Sequence, residues 1–388
     1  MAVVALSVAA PVAGASSSGP APLTVQSASF TQDAKQLTWT VKLTQPFSPA
    51  ALARAGRSLC VLLERRRSAS VFAQLCVTGP RKPNGTPRIL YQPISRSGPG
   101  KGAIVAATVT RAGSRGLSAA FVPTDLGLGY TSIRWQVLST LSPPACKPAK
   151  PSRAGCVILF PAKPALASIH TPQLVGCVAS GAPFVNNGPS NARVIALTFD
   201  DGPWYDTPQF LSILEHYHVP ATFFEIGDQV STYGQGGSVE RRMLADGDMI
   251  GDHTWNHANV SGGGSFAAGE IGQAAAAIKQ ATGGFQPCLF RAPYGATSPN
   301  LITVASSMGF KTIQWDIDPR DWARPGTNAI YDNVVANAHP GAIVLQHDGG
   351  GDRSETLAAL PQEIQTLKSR GYQFVTITQL FGMKLIYK

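Results

Sequence analysis

Val194-Ile195-Ala196-Leu197-Thr198-Phe199-Asp200-Asp201-Gly202-Pro203 runs from apolar to doubly acidic and ends in a glycine–proline pair. Val194 to Phe199 has the length and β-branched content of a buried strand, and Gly202-Pro203 is a strong turn signal. Two carboxylates at a strand end are costly to desolvate unless a cation or hydrogen-bond donors meet them. Successive strand residues point to opposite sides, so Asp200 and Asp201 can do different work from one backbone segment. One can hold a metal while the other handles a proton. A solvated turn in which neither acid acts is the competing reading that this stretch leaves open.

Further along, Asp252-His253-Thr254-Trp255-Asn256-His257 places two histidines at i and i+4. On a helical turn that spacing would put both imidazoles on one face, as a tetrahedral metal site requires. Alone, the pair more often reads as two surface histidines. With an acid pair at a strand end it becomes a His/His/Asp set with an open position.

Leu289-Phe290-Arg291-Ala292-Pro293-Tyr294-Gly295, Asp318-Pro319-Arg320-Asp321-Trp322 and Ile343-Val344-Leu345-Gln346-His347-Asp348 follow in order. Together the five stretches take the forms T-F-D-D-G, H-[ST]-x-x-H, R-x-P-Y-G, D-x-x-D-W and L-x-H. From about Val194 to Leu380 the chain therefore resembles the polysaccharide deacetylases of the NodB type, carbohydrate esterase family 4. Five ordered motifs are far more specific than any one of them. The resemblance covers about half the chain and is silent on the first 175 residues.

The resemblance implies a distorted (β/α) barrel of about seven strands, with the motifs gathered at strand carboxyl ends. It implies one divalent cation on Asp201, His253 and His257, and the N/O ligand set points to zinc. Asp200 is the candidate general base and His347 the candidate acid. Arg291 would pair with Asp200, keeping it ionised and oriented. Asp321 would pair with His347 and raise its pKa, with Asp318 as the alternative partner. Tyr294, Trp322 and Leu345 would line an acetyl and sugar pocket, ordinary core packing being the alternative for each. A backbone N–H near Tyr294 would help to hold an oxyanion.

Charge divides the chain. Residues 1–175 carry 19 Lys+Arg against 3 Asp+Glu, a formal +16, whereas residues 176–388 carry 13 against 19, a formal −6. Such asymmetry implies two units with different partners. No helix-turn-helix, zinc-finger or aromatic RNA-binding signature accompanies the basic half. An anionic cell envelope is thus the expected partner in preference to nucleic acid, and a solvated basic face is the third option. The six cysteines form no C-x-x-C, and their even number fits disulfides in an exported protein. Proximity in sequence suggests Cys60–Cys76, Cys146–Cys156 and Cys177–Cys288.

Ala2 to Ala15 is small and apolar and ends in an A-x-A form, but lacks a basic start, so 1–22 reads as a signal-like leader and linker. No stretch reaches the ~20 apolar residues of a transmembrane helix. Residues 23–165 read as an all-β, immunoglobulin-like sandwich. Leu37, Trp39, Val41 and Leu43 alternate with polar residues, as do Ile133, Trp135 and Val137, and 58–64, 69–77, 103–110 and 156–160 are further runs between Pro/Gly clusters. A linker is expected over 166–192. Residues 193–388 then alternate strand and helix as a parallel α/β unit.

The expected protein is a secreted or envelope-associated, metal-dependent N-deacetylase of acetylated polysaccharides. N-acetylglucosamine of peptidoglycan leads and chitin-like polymers come second. An O-acetyl xylan esterase of the same mechanism and a non-catalytic glycan-binding protein are the alternatives, and intact Asp200 and His347 argue against the latter.

Overall fold

A computed structural model of the chain describes residues 21–68, 70–82, 85–142, 156–189 and 191–388. The expected leader, Ala2 to Ala15, lies outside them, as does Cys146 of the expected Cys146–Cys156 pair. Two compact units divide at Gln173/Leu174, with Lys388 grouped with the first. Among the described residues no helix is long and apolar enough to cross a membrane.

The first unit is built from β1 (Val25–Asp33), β2 (Gln36–Leu43), β3 (Arg57–Arg65), β4 (Val71–Thr78), β5 (Arg88–Ser95), β6 (Thr108–Ala112), β7 (Gly116–Phe121), β8 (Ile133–Leu141) and β9 (Val157–Ala167). One antiparallel sheet runs β1-β2-β7-β6 and the other β9-β8-β3-β4-β5, with two short strands at the β5 edge. In chain order these are the A-B-E-D and G-F-C-C′-C″ sheets of a variable-type immunoglobulin sandwich. Period-2 alternation produces the core directly. Leu37, Trp39, Val41 and Leu43 of β2 are buried with Val61, Leu63, Leu75, Val137 and Phe121 from the facing and neighbouring strands. Cys60 and Cys76 sit opposite each other in the β3–β4 register and are bonded. The run expected over 103–110 is not one strand. Ala103–Ile104 pairs with β5 and Thr108–Ala112 with β7, so the chain changes sheets between them.

The second unit contains β10 (Phe184–Val185), β11 (Val194–Gly202), β12 (Thr222–Glu225), β13 (Met249–Asp252), β14 (Leu289–Phe290), β15 (Lys311–Ile313), β16 (Ala342–His347) and β17 (Gln373–Phe374). They pair in parallel in the order β10-β15-β14-β13-β12-β11-β16, with β17 also on β11. An isolated parallel bridge, Ile317 to Val344, joins the segment after β15 to β16. That single bridge closes the ring, which makes it a distorted (β/α) barrel. β11 and β16 are buried along nearly their whole length, as continuous apolar runs covered by helices must be. The flanking helices are α1 (Thr207–Tyr217), α2 (Gly227–Tyr233), α3 (Ser238–Asp246), α4 (Gly264–Thr282), α5 (Pro299–Ser307), α6 (Thr327–Asn337) and α7 (Ser354–Ser369). Within the stretch expected as linker, Leu174–Val178 forms a strand antiparallel to Lys384–Tyr387, and Cys177 is bonded to Cys288.

Candidate active site

Every motif falls at or just beyond the carboxyl end of a barrel strand. β11 delivers the acid pair, but not by simple alternation. Its register with β12 slips between Asp200 and Gly202, and Asp201 adopts a left-handed φ of 69°. This bulge swings Asp201 back, so both carboxylates line one cleft instead of opposite sides of a strand. Gly202 and Gly349 make the crowding possible. A Cβ on Gly202 would strike the Asp348 carboxylate, and one on Gly349 would strike the Asp201 carbonyl oxygen.

His253 and His257 do not sit on a helical turn. They leave β13 on an irregular loop in which Thr254 and His257 have φ of 67° and 62°. Left-handed residues without glycine persist only where their surroundings over-determine them. Here Asp252 Oδ1 accepts from Thr254 N at 2.9 Å. Glu270 Oε2, on α4, accepts from Trp255 N at 3.1 Å and Asn256 N at 3.2 Å. From the other side Gly227 N and Asp228 N donate to the carbonyls of Thr254 and Trp255. The result is the one-sided pair of imidazoles that a helix would have supplied.

Asp201, His253 and His257 form the one group among the described residues whose ligand atoms all lie within 4.8 Å of one another. Asp201 Oδ1 is buried with no hydrogen-bond partner, 3.5 Å from His253 Nε2 and 3.1 Å from His257 Nε2. His253 Nδ1 is 2.8 Å from the Arg291 carbonyl oxygen, which can only accept, so that nitrogen carries the proton. Its Nε2 lone pair then faces an anionic oxygen. Two lone pairs aimed at each other in a buried place call for a cation between them. Burial works to raise the Asp201 pKa, yet the imidazoles of His253, His347 and His257 hold it well below the carboxylate range. Burial lowers His257 against the pull of Asp201. An ionised carboxylate and a neutral imidazole are the forms that bind metal.

On one flank lies Asp200. Arg291 is fully buried and donates from Nη1 to Asp200 Oδ1 at 2.7 Å and Thr198 Oγ1 at 2.8 Å. Its Nε donates to the Ile313 carbonyl at 3.2 Å, and its guanidinium lies over Phe224 at 4.0 Å. On the other flank is His347, whose Nδ1 donates to Asp321 Oδ1 at 2.7 Å. Asp321 is held in turn by His347 N at 2.8 Å and Thr356 Oγ1 at 2.9 Å. Burial would lower His347, but the Asp321 hydrogen bond and charge, with Asp201 and Asp200, push it up to about 9. Asp318 does not take this role, because its Oδ1 accepts from Arg320 N at 2.7 Å.

The cleft has a volume of about 400 Å³. Tyr294 is 70% exposed and Trp322 46% exposed at its rim, while Leu345 is buried in its lining. Tyr294 also has a left-handed φ of 60°, its ring stands edge-on to His257 at 4.5 Å, and its hydroxyl lies 3.1 Å from His257 Nδ1. Three contributors went unassigned in sequence. Trp315 lines the cleft, Glu270 braces the histidine loop, and Asp348 accepts from Thr207 Oγ1 at 2.5 Å beneath the acid pair. Only Asp348 carried a signal, as the last residue of a motif.

Residues 187–313 match the polysaccharide deacetylase family. A peptidoglycan-N-acetylglucosamine deacetylase of Bacillus cereus is 40% identical over 201 residues, which span 50% of this chain and 92% of that protein. The chain belongs to the polysaccharide deacetylase family. A chitooligosaccharide deacetylase of a Bradyrhizobium species is 38% identical over 49% of this chain and 92% of its own length. A peptidoglycan-N-acetylglucosamine deacetylase of Listeria monocytogenes is 38% identical over 52% of this chain and 42% of its own. The deacetylase family match lies in the barrel unit and leaves the sandwich unassigned.

Proposed function

We propose that this deacetylase-family protein is an exported, metal-dependent N-deacetylase that removes acetyl groups from N-acetylglucosamine in peptidoglycan or chitin-like polymers. The carrying observation is one cleft in which Asp201, His253 and His257 lie between an Arg291-paired Asp200 and an Asp321-paired His347. A divalent cation held by the three ligands would supply Lewis acidity to the acetyl carbonyl and to an attacking water. Arg291 occupies Asp200 Oδ1, which leaves Oδ2 to take the proton of that water. The Tyr294 backbone N–H has no partner among the described residues and is available to the oxyanion of the tetrahedral intermediate. As the C–N bond breaks, His347 Nε2 gives its proton to the departing amine, and acetate remains. Trp322 and Tyr294 offer exposed aromatic faces to the sugar, and Trp315 and Leu345 bound the acetyl end.

The test is acetate release from peptidoglycan, chitin oligomers and acetyl xylan, with and without chelator. Wild type is expected to act on the first two, and chelation, Asp200→Asn and His253→Ala each to abolish release. Full turnover by either variant overturns the role given to that residue, and activity confined to acetyl xylan overturns the amide substrate.

A further inference from the structure

A larger cavity than the cleft, about 730 Å³, lies within the sandwich unit. It opens at one end of the sandwich, between the β3–β4 turn and the connection from β7 to β8. Arg65, Arg66 and Arg67 stand at its edge, and Phe72, Leu128 and Tyr130 are half-buried in its wall. The Arg65 guanidinium already lies over the Phe72 ring, 5.8 Å from its centroid.

The charge here is unbalanced at every level. Three adjacent guanidiniums repel one another, and among the described residues no carboxylate pairs with any of them. The unit has three acids to offer. Glu64 is buried beside Arg134 at 3.9 Å, while Asp33 and Asp125 lie outside the groove lining. An external anion would relieve that repulsion, and a planar guanidinium fork suits carboxylate oxygens. The ring and aliphatic faces beside the arginines suit the apolar face of a sugar. The unit also shares its chain with a polysaccharide deacetylase domain.

We propose that this groove binds a carboxylate-bearing polysaccharide, with Arg65, Arg66 and Arg67 on its carboxylates and Phe72, Leu128 and Tyr130 against its sugar rings. The site is separate from the deacetylase cleft and does not depend on turnover there. The full chain carrying Asp200→Asn is therefore used, and its affinity for polygalacturonate is measured by calorimetry at near-physiological salt. Arg65→Gln/Arg66→Gln/Arg67→Gln is expected to weaken binding roughly tenfold, the sum of three exposed ion pairs. Arg81→Gln/Lys82→Gln/Arg96→Gln removes the same charge from positions outside the groove and is expected to change affinity less than about twofold. Arg65 ends β3, the other five lie in turns or bends, and all six are exposed, so an unchanged thermal transition checks the fold. Equal losses in the two variants, or no binding by the parent, overturn the proposal. Tighter binding to duplex DNA through the same arginines overturns it in favour of a nucleic-acid site.

Discussion

At His347, burial and hydrogen bonding pull in opposite directions, and the pH profile should report which wins. Its raised value of about 9 arises from Asp321 against desolvation, with help from the Asp201 and Asp200 charges. A cation on Asp201 would repel the imidazolium, so the alkaline limb of activity in the loaded protein is expected at or below 9. Activity that needs the protonated ring must fall as pH rises through that value. Asp321→Asn keeps an oxygen for the His347 and Thr356 donors but removes the charge. The limb should then move down by at least about one pH unit, the ordinary effect of losing an adjacent opposite charge. A pH–rate profile whose alkaline limb stays in place would show that His347 is not the proton donor. All ten residues expected in the site lie in or against one cleft. Their convergence was legible because the chemistry names its own residue types, two imidazoles for a metal and paired ions for proton transfer. Geometry was less legible, since a bulge at Asp201 and a left-handed Tyr294 leave no mark in composition.

Among the elements, α4 does more than cover the barrel. Its Glu270 is buried and holds two peptide N–H groups of the histidine loop, which has no regular structure of its own. Glu270→Ala should loosen that loop and weaken metal binding by about ten- to hundredfold, as lost supports of ligands do. Glu270→Gln keeps an acceptor oxygen and should bind nearly as wild type. Competition with a chromophoric chelator measures both, and wild-type affinity in the alanine variant would remove α4 from the account of the site. Nothing in an alanine-rich helix singles out this glutamate. The same limit applies to β13, where four residues, Met249–Asp252, are too few to show a period. Long elements behaved otherwise. β2 follows its alternation residue by residue, and β8 does so except at Gln136, which is buried where the register with β9 slips. Asp206 precedes α1 but makes no side-chain cap, its Oδ1 accepting from Gln209 Nε2 instead.

At the scale of the whole molecule, the barrel unit stores acids in its interior, and their titration sets how stability responds to pH. Burial raises Asp248, Asp348 and Glu240 to about 7 and Glu363 to about 8. Each is raised above its unfolded value near 4, so the folded state binds the extra protons. Their stability contribution is complete below about pH 4 and is lost as pH rises through 7 to 8. His347 has the same sign, with its contribution complete below about 6.5 and lost as pH rises through about 9. Asp201 opposes them, because its depressed value adds stability above the ordinary carboxylate range that is lost only in strong acid. The metal-free barrel should therefore be most stable in mild acid. Between pH 5 and pH 9 its Tm should fall by about 10 °C, equivalent to a few kcal/mol for a unit of this size. Metal should oppose that fall, since its ligands must be deprotonated, so its stabilisation grows with pH. Calorimetry with and without chelator separates these effects, and the transition that chelator moves belongs to the barrel. A chelated barrel whose Tm holds level or climbs from pH 5 to pH 9 would mean that these acids are ionised inside the fold despite their burial.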